Sequence, residues 1–96
     1  MDYHFEWDPQ KAKSNMRKHR VSFERAATVL RDPRALSIFD FEHSRDEERW
    51  NTLGVDNTGV LLVVCHTFKE ESKERVRIRI LSARKATKNE IKQYQG

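Results

Sequence analysis

The sequence predicts an α+β fold: an N-terminal strand and two helices, then an antiparallel β-meander and a short C-terminal helix. Three observations predict it. Helical spacing of apolar residues is confined to the first third of the chain and its last ten residues. The middle holds alternating or continuous apolar segments, which are typical of strands. Capping and turn residues separate these segments, and 96 residues fit a single domain over 1–96.

The N-terminal third contains one predicted strand and two predicted helices. Tyr3–Trp7 alternates aromatic with polar residues, as in a short strand with an aromatic face. Asp8–Pro9 matches the N-cap and first position of a helix that extends to about Arg20. Ser22 caps a second helix, which ends at Asp32–Pro33 because the residue before a proline disfavours helical backbone. The apolar positions of this helix are Phe23, Ala26, Ala27 and Leu30.

The remaining chain is predicted to form four strands and a last helix. The strands are expected over Leu36–Phe41, Glu48–Val55, Thr58–Phe68 and from Arg75 onwards. The polar segment Glu42–Glu48 and the charged segment Lys69–Lys73 are expected to be loops. Val60–Val64 is apolar throughout, so its strand should be central and covered on both faces. Thr87 should cap the final helix, Lys88–Gln95.

The last predicted strand has one apolar face and one basic face. The apolar residues Val76, Ile78 and Ile80 alternate with Arg75, Arg77 and Arg79. The alternation breaks at Leu81, where we expect a β-bulge or the end of the strand. Continued alternation would bury the Arg84 guanidinium, which is costly without a partner. The chain should therefore turn and bring Arg84 and Lys85 to the rim of the sheet, beside the basic face.

Positive charge is concentrated at the C-terminal end of the chain. Residues 73–96 hold eight Lys or Arg and two Asp or Glu, whereas residues 1–72 carry a net charge of −2. The net charge of +4 and the pI of about 9.5 permit a nucleic acid, an anionic membrane or an acidic protein as partner. A basic strand next to Arg84 and Lys85 favours a polyanion, although the arginines could also form only a solvated face.

Several classes of protein and site are excluded by what the sequence lacks. Cys65 is the single cysteine, so we predict no internal disulfide and a cytoplasmic location. Neither a cleavable signal peptide nor an apolar run long enough for a membrane span is present. The sequence has no P-loop, Rossmann or zinc-binding pattern, and Cys65 and His66 point to opposite faces of a strand. No metal or nucleotide cofactor is predicted.

The residue types that remain after these exclusions suit metal-free cleavage of RNA. In that reaction the 2′-hydroxyl attacks the neighbouring phosphate, so the protein must orient the chain, neutralise charge on the phosphate and move two protons. Arginine suits the first two tasks because its planar fork binds phosphate through two nitrogens and stays charged. The sequence offers arginines, histidines, carboxylates and Tyr94 for these tasks.

Five short motifs carry a resemblance across nearly the whole chain. They are F-E-W-D-P-Q-K, R-K-H-x-V-S-F-E-x-A, E-E-R-W-N-T-L-G, V-V-C-H-T and I-L-S-A-R-K-A-T-x-x-E. In this order and spacing they resemble the BrnT family of type II toxins. The resemblance implies a RelE-like fold and cleavage of messenger RNA that inhibits translation and arrests growth. It also implies neutralisation by a BrnA-type antitoxin with a ribbon-helix-helix part, typically as two toxins with an antitoxin dimer that binds operator DNA.

RelE-like toxins place basic residues on the sheet with an acid or base nearby, so candidate roles follow from residue chemistry. Arg84 and Lys85 are expected to bind the scissile phosphate. The RNA backbone should contact Arg75, Arg77 and Arg79. Arg49 is a second candidate for phosphate contact, and an ion pair with neighbouring glutamates is its alternative role.

Two further residues are candidates for proton transfer. His66 ends the central strand and Tyr94 lies near the C-terminus, but each could instead be structural. Glu48 and Glu90 are weaker candidates for the general base. A basic nucleic-acid-binding protein without catalytic activity is the main alternative function, and a module that binds acidic proteins is a third.

Overall fold

The computed structural model describes residues 2–96; Met1, the first residue of the predicted domain, lies outside the described residues. The elements are β1 (Asp2–Glu6), α1 (Pro9–His19), α2 (Phe23–Val29), β2 (Leu36–Phe39), β3 (Arg49–Val55), β4 (Leu61–Thr67), β5 (Lys69–Glu70), β6 (Arg75–Lys85) and α3 (Lys88–Gln95). The predicted α+β class and element order are confirmed. Strand ends shift slightly, and the short β5 lies in a segment that was predicted to be a loop.

The three predicted helix caps are confirmed. Asp8 and Ser22 each accept a hydrogen bond from a backbone N–H of the first turn of their helix. Thr87 accepts a bond from the Glu90 N–H at 3.3 Å, and the Glu90 carboxylate accepts one from the Thr87 N–H at 2.8 Å. This reciprocal capping box fixes the start of α3 at the end of β6.

The strands form one mixed sheet in the order β1-β6-β4-β3-β2, with β5 paired to β6. As predicted, β4 is central, and Leu62, Val63 and Val64 within it are buried. The pairs β2–β3, β3–β4 and β4–β6 are antiparallel. In contrast, β1 runs parallel to β6 and pairs Asp2–Glu6 with Arg75–Arg79. The N-terminal strand thus completes the sheet beside the basic segment.

A β-bulge divides β6 at Leu81. His66 of β4 lies opposite Ile80, whereas the preceding Cys65 lies opposite Ser82, so Leu81 is an extra residue on β6. The predicted bulge is confirmed, but the predicted turn is wrong, because β6 continues to Lys85. The extra residue exchanges the two faces of the strand. The Arg84 guanidinium therefore lies outside the core, although the chain does not turn before it.

The helices α1 and α2 pack on one face of the sheet, which we call the helix face. The core there consists of Val21, Phe23, Ala26, Val29, Leu62, Val64, Ile80 and Ala83. The buried Asn15 of α1 donates to the carbonyls of Val21 and Ala83 and accepts from the Ala83 N–H. Since Ile80 and Ala83 face this core, Arg79 and Arg84 both lie on the opposite face, the outer face. No helix within residues 2–96 is long and apolar enough to cross a membrane.

Candidate functional site

A cavity of about 630 Å³ opens on the outer face of the sheet, and we call it the arginine groove. Its charged and polar lining includes Glu6, Glu47, Thr67, Lys69, Arg77 and Arg79. These residues come from β1, the β2–β3 loop, β4, β5 and β6, so the groove depends on the pairing of β1 with β6. The period of two along β6 points both arginines to this side of the sheet.

The arginines of the basic face are held by carboxylates from other segments. Arg77 lies 3.4 Å from a Glu6 oxygen and 3.2 Å from a Glu71 oxygen. Arg75 lies 3.9 Å from Glu71, which is therefore shared by two guanidinium groups. These side chains remain substantially exposed, and exposed ion pairs of this kind contribute only about 0–1 kcal/mol. Such pairs can exchange a carboxylate for another anion at little cost.

Arg79 and Arg49 meet at Glu47. The Arg79 guanidinium donates to the Glu47 carboxylate, and an Arg49 nitrogen lies 3.8 Å from the same carboxylate oxygen. Arg49 also lies opposite Thr67 in the β3–β4 register, and the Thr67 hydroxyl accepts the Arg79 N–H at 3.0 Å. The ion pair that the sequence suggested as an alternative for Arg49 is thus present. It places Arg49 beside Arg79 of the groove.

A second cavity of about 380 Å³ adjoins the groove. Its lining includes His43, Arg45 and Arg49, and it shares Asp46 and Glu47 with the arginine groove. The two cavities form a continuous basic and acidic surface along the β2–β3 loop. Within the described residues, this surface brings together guanidinium, carboxylate and imidazole groups.

Arg84 is engaged elsewhere. Two of its nitrogens donate to the two oxygens of Glu90, at 2.8 and 3.0 Å. The hydrogen bonds from Arg84 hold the pKa of Glu90 at about 2, and the same contact raises the pKa of Arg84. Because Glu90 also belongs to the capping box, Arg84 ties α3 to β6. Lys85 is exposed at the end of β6, and neither residue lines the arginine groove.

His66 is 2% exposed and lies on the helix face, away from the groove. Its Nδ1 lies 2.9 Å from the Thr67 carbonyl, which can only accept, so Nδ1 carries the proton. Nε2 therefore accepts the Thr52 hydroxyl at 2.6 Å. Burial lowers the pKa of His66, which disfavours the charged ring. With both nitrogens engaged inside the protein, the ring has no position for a substrate proton.

Tyr94 anchors α3 to the loop after α2. Its hydroxyl donates to an Asp32 oxygen at 2.6 Å, and this bond raises the pKa of Tyr94. The Arg34 guanidinium lies 5.9 Å from the centre of its ring. The same Asp32 oxygen accepts the Val55 N–H at the end of β3. These contacts hold the C-terminal helix in place and leave Tyr94 outside the arginine groove.

Three residues of the arginine groove and its adjoining cavity were not singled out from the sequence. Glu6 and Glu47 enter it from β1 and from the β2–β3 loop, and no local pattern predicts that they meet arginines of β6. His43 had no partner that could be named, but its Nδ1 lies 2.9 Å from the Asp40 carboxylate. The three-residue spacing of Asp40 and His43 was the available signal for that pair.

Comparison with known proteins agrees with the fold. Residues 7–90 match the family model described as the ribonuclease toxin BrnT of type II toxin-antitoxin systems. The fold resembles the 1.1 Å crystal structure of the Brucella abortus ribonuclease toxin BrnT, with a TM-score of 0.60 and 21% identity. That match covers 92% of this chain and all of the other. No curated protein matches the chain. Since the family model spans most of the sequence, the chain belongs to the BrnT family of ribonuclease toxins of type II toxin-antitoxin systems.

Proposed function

We propose that this protein is an endoribonuclease that cleaves messenger RNA in the arginine groove and thereby inhibits translation. The observation that supports this most directly is the meeting of Arg49 and Arg79 at one carboxylate, with Arg77 in the same cavity. A carboxylate and a phosphate offer arginine similar pairs of oxygens. A groove that holds Glu47 in this way has the geometry to hold an RNA phosphate in its place.

The groove supports charge stabilisation in the reaction. Arg77 would bind the phosphates of the chain, and Arg79 and Arg49 would approach the phosphate that is attacked by the 2′-hydroxyl. As that attack proceeds, negative charge grows on the phosphate oxygens, and guanidinium groups already in position stabilise it. Because arginine supplies this charge, the proposed reaction requires no metal. Lys85 remains a predicted phosphate contact, whereas Arg84, His66 and Tyr94 are assigned structural roles.

The partner would be an antitoxin that covers the groove. Glu6, Glu47 and Glu71 already show that carboxylates fit these guanidinium groups. An acidic segment of a BrnA-type antitoxin would replace them in the same way and exclude RNA. We propose that two toxins assemble with an antitoxin dimer, and that its ribbon-helix-helix part binds operator DNA. Both proteins would act in the cytoplasm.

The test is cleavage of messenger RNA by the purified protein in EDTA. Defined fragments with 2′,3′-cyclic phosphate ends are expected, because the 2′-oxygen becomes bonded to phosphorus. The control is the same protein in complex with its antitoxin, which should leave the RNA intact. Activity that is lost in EDTA and restored by Mg²⁺ would contradict metal independence. RNA binding without cleavage under any condition would instead support a nucleic-acid-binding protein without catalytic activity.

A further inference from the structure

We infer that His43 accepts the 2′-hydroxyl proton in RNA cleavage, and that Asp40 is the positioning residue that orients its ring. The inference rests on the proposed function and deepens it by naming the base. Arginine remains protonated at neutral pH and cannot take up this proton. A histidine in the cavity that adjoins the groove, with one nitrogen free, has the chemistry that the arginines lack.

The ring of His43 is oriented by a short turn after β2. Its Nδ1 lies 2.9 Å from Asp40 Oδ2, while the other carboxylate oxygen accepts the His43 backbone N–H at 3.3 Å. Burial would raise the pKa of Asp40, but the hydrogen bonds from His43 and from the Glu42 N–H, together with the electrostatic interaction with His43, lower it, so the carboxylate is ionised. An ionised carboxylate can only accept, so Nδ1 carries the proton. In the neutral ring, the lone pair is therefore on Nε2.

The turn itself is hydrogen-bonded to the backbone of Arg49 at the start of β3. The Asp40 N–H donates to the Arg49 carbonyl at 2.8 Å. The Ser44 hydroxyl donates to the Asp40 carbonyl at 2.6 Å and accepts the Arg49 N–H at 2.9 Å. Asp40 is thus joined through the backbone to Arg49, a residue of the proposed phosphate site. The turn that carries the imidazole is thereby held against the backbone of Arg49.

His43 lies in a charged cavity that it shares with Arg49, a residue of the proposed phosphate site. Its side chain is 60% exposed, and it lines the cavity that shares Glu47 with the arginine groove. The charged groups around it are Asp40, Glu42, Arg45, Asp46, Glu47 and Arg49. Arg45 and Arg49 line the same cavity, so a phosphate that they bind would lie in the cavity that His43 lines.

The reaction balances without a further reagent. Nε2 takes the proton from the 2′-hydroxyl, and the 2′-oxygen forms a bond to the adjacent phosphorus. The bond from phosphorus to the 5′-oxygen breaks, and that oxygen takes a proton from water. The products are a 2′,3′-cyclic phosphate and a 5′-hydroxyl. The proton on Nε2 then returns to solvent, which restores the neutral ring.

The other histidines provide comparisons. His66 is buried on the opposite face with both nitrogens engaged. His4 lies opposite Arg77 in the β1–β6 register, but within residues 2–96 no carboxylate is hydrogen-bonded to its ring. His19 is exposed at the end of α1. His4 is thus the competing base, and His19 is the matched control.

The experiment measures single-turnover cleavage of RNA from about pH 5 to pH 9, where a histidine base changes protonation. The wild type should show a rate that falls at low pH as the base becomes protonated. His43→Ala should lower the plateau rate about a hundredfold and remove this acidic limb, with RNA affinity and melting temperature retained. Asp40→Asn should lower the plateau rate by a smaller factor and leave RNA affinity unchanged, because an amide nitrogen can donate to Nδ1 and so favour the tautomer whose Nε2 carries the proton. His19→Ala should match the wild type.

The possible outcomes separate the inference from the proposed function. If the wild type cleaves RNA and His43→Ala has the same rate and pH profile, His43 is not the base, while the groove function stands. Loss of the acidic limb in His4→Ala would overturn the inference in favour of the other histidine. If the wild type cleaves no RNA, both proposals fail. Should His43→Ala fail to fold, His43→Gln, which preserves polarity and approximate size, provides the same comparison.

Discussion

The two ends of β6, on either side of the bulge, each present an arginine to the outer face. Arg79 and Arg84 have nearly the same side-chain exposure, 42% and 41%, and each contacts a glutamate. Their partners differ. Glu47 comes from a loop and is shared with Arg49, whereas Glu90 accepts two bonds from Arg84 and also caps α3. An arginine with a shared partner is available to another anion, whereas one with a dedicated partner is part of the framework.

This difference shows why charge and exposure alone do not define a phosphate site. The period of two places arginines on one face of β6, but the segment that reaches each arginine decides what it can bind. At the N-terminal end three separate segments supply carboxylates around an open cavity. At the C-terminal end, Glu90 in the first turn of α3 holds the Arg84 guanidinium. Variants of the two arginines test this contrast.

Replacement of Arg79 by alanine should have the largest effect on activity. If Arg79 stabilises charge on the phosphate, Arg79→Ala should slow single-turnover cleavage about a hundredfold, which corresponds to about 3 kcal/mol. The fold should persist, because the ion pair with Glu47 is at the surface. The control is Arg17→Ala, which removes an exposed arginine from α1. Equal rates in the two variants, with equal melting temperatures, would show that the groove does not bind the reacting phosphate.

Arg84→Ala should act mainly on stability. Loss of the partly exposed pair with Glu90 should lower the free energy of unfolding by about 1 kcal/mol or less, and the melting temperature by a few degrees. Cleavage by the folded variant should stay within about threefold of the wild type, in contrast to Arg79→Ala. A double-mutant cycle with Glu90→Gln, followed by thermal denaturation, measures the coupling. A cleavage defect as large as that of Arg79→Ala would return Arg84 to the phosphate site.

Acid should remove the contribution of the Arg84 and Glu90 pair. The pKa of Glu90 is lowered from 4.5 to about 2 by the hydrogen bonds from Arg84, so the folded state binds this proton less readily than the unfolded chain. The stabilisation is therefore fully present above about pH 4.5 and is lost as the pH falls towards 2. The wild type should melt a few degrees above Glu90→Gln at neutral pH, and the gap should close on acidification. A gap that stays constant down to about pH 2 would contradict this linkage.

Asp56 is a second acidic group whose protonation affects stability at low pH, and it is present in both proteins of that comparison. Burial would raise the pKa of Asp56, but hydrogen bonds from Thr58, Val60 and Arg25 lower it to about 2. Its effect on acid stability occurs in the wild type and in Glu90→Gln alike. The difference between the two melting temperatures therefore reports Glu90 alone.

Local signals predicted the elements of this fold well. The caps at Asp8, Ser22 and Thr87 act within one helical turn, so the residues that decide them are adjacent in sequence. The alternation along β6 and the continuous apolar segment of β4 likewise reflect burial that each strand experiences along its length. The break in alternation also located the bulge, because an extra residue must disturb the period.

The site was less predictable because its members meet only through tertiary structure. The parallel pairing of β1 with β6 joins segments at opposite ends of the chain, and neither segment specifies its partner. Glu47 meets Arg79 because the β2–β3 loop folds over the outer face. Arg84 is of a residue type that binds phosphate, but its guanidinium is bound to Glu90. Residue type thus identified the basic strand, while the partners of each arginine required the folded chain.

The register of β1 also sets the order in which the groove can form during synthesis. Glu6 precedes its neighbours Arg77 and Arg79 on β6 by 71 and 73 residues, so it is made well before them. Contacts between such distant segments form late in folding, since a long loop must close first. A nascent chain that has not yet released β6 therefore lacks the arginine groove. A ribosome making this protein is shielded from its proposed activity until it has released β6.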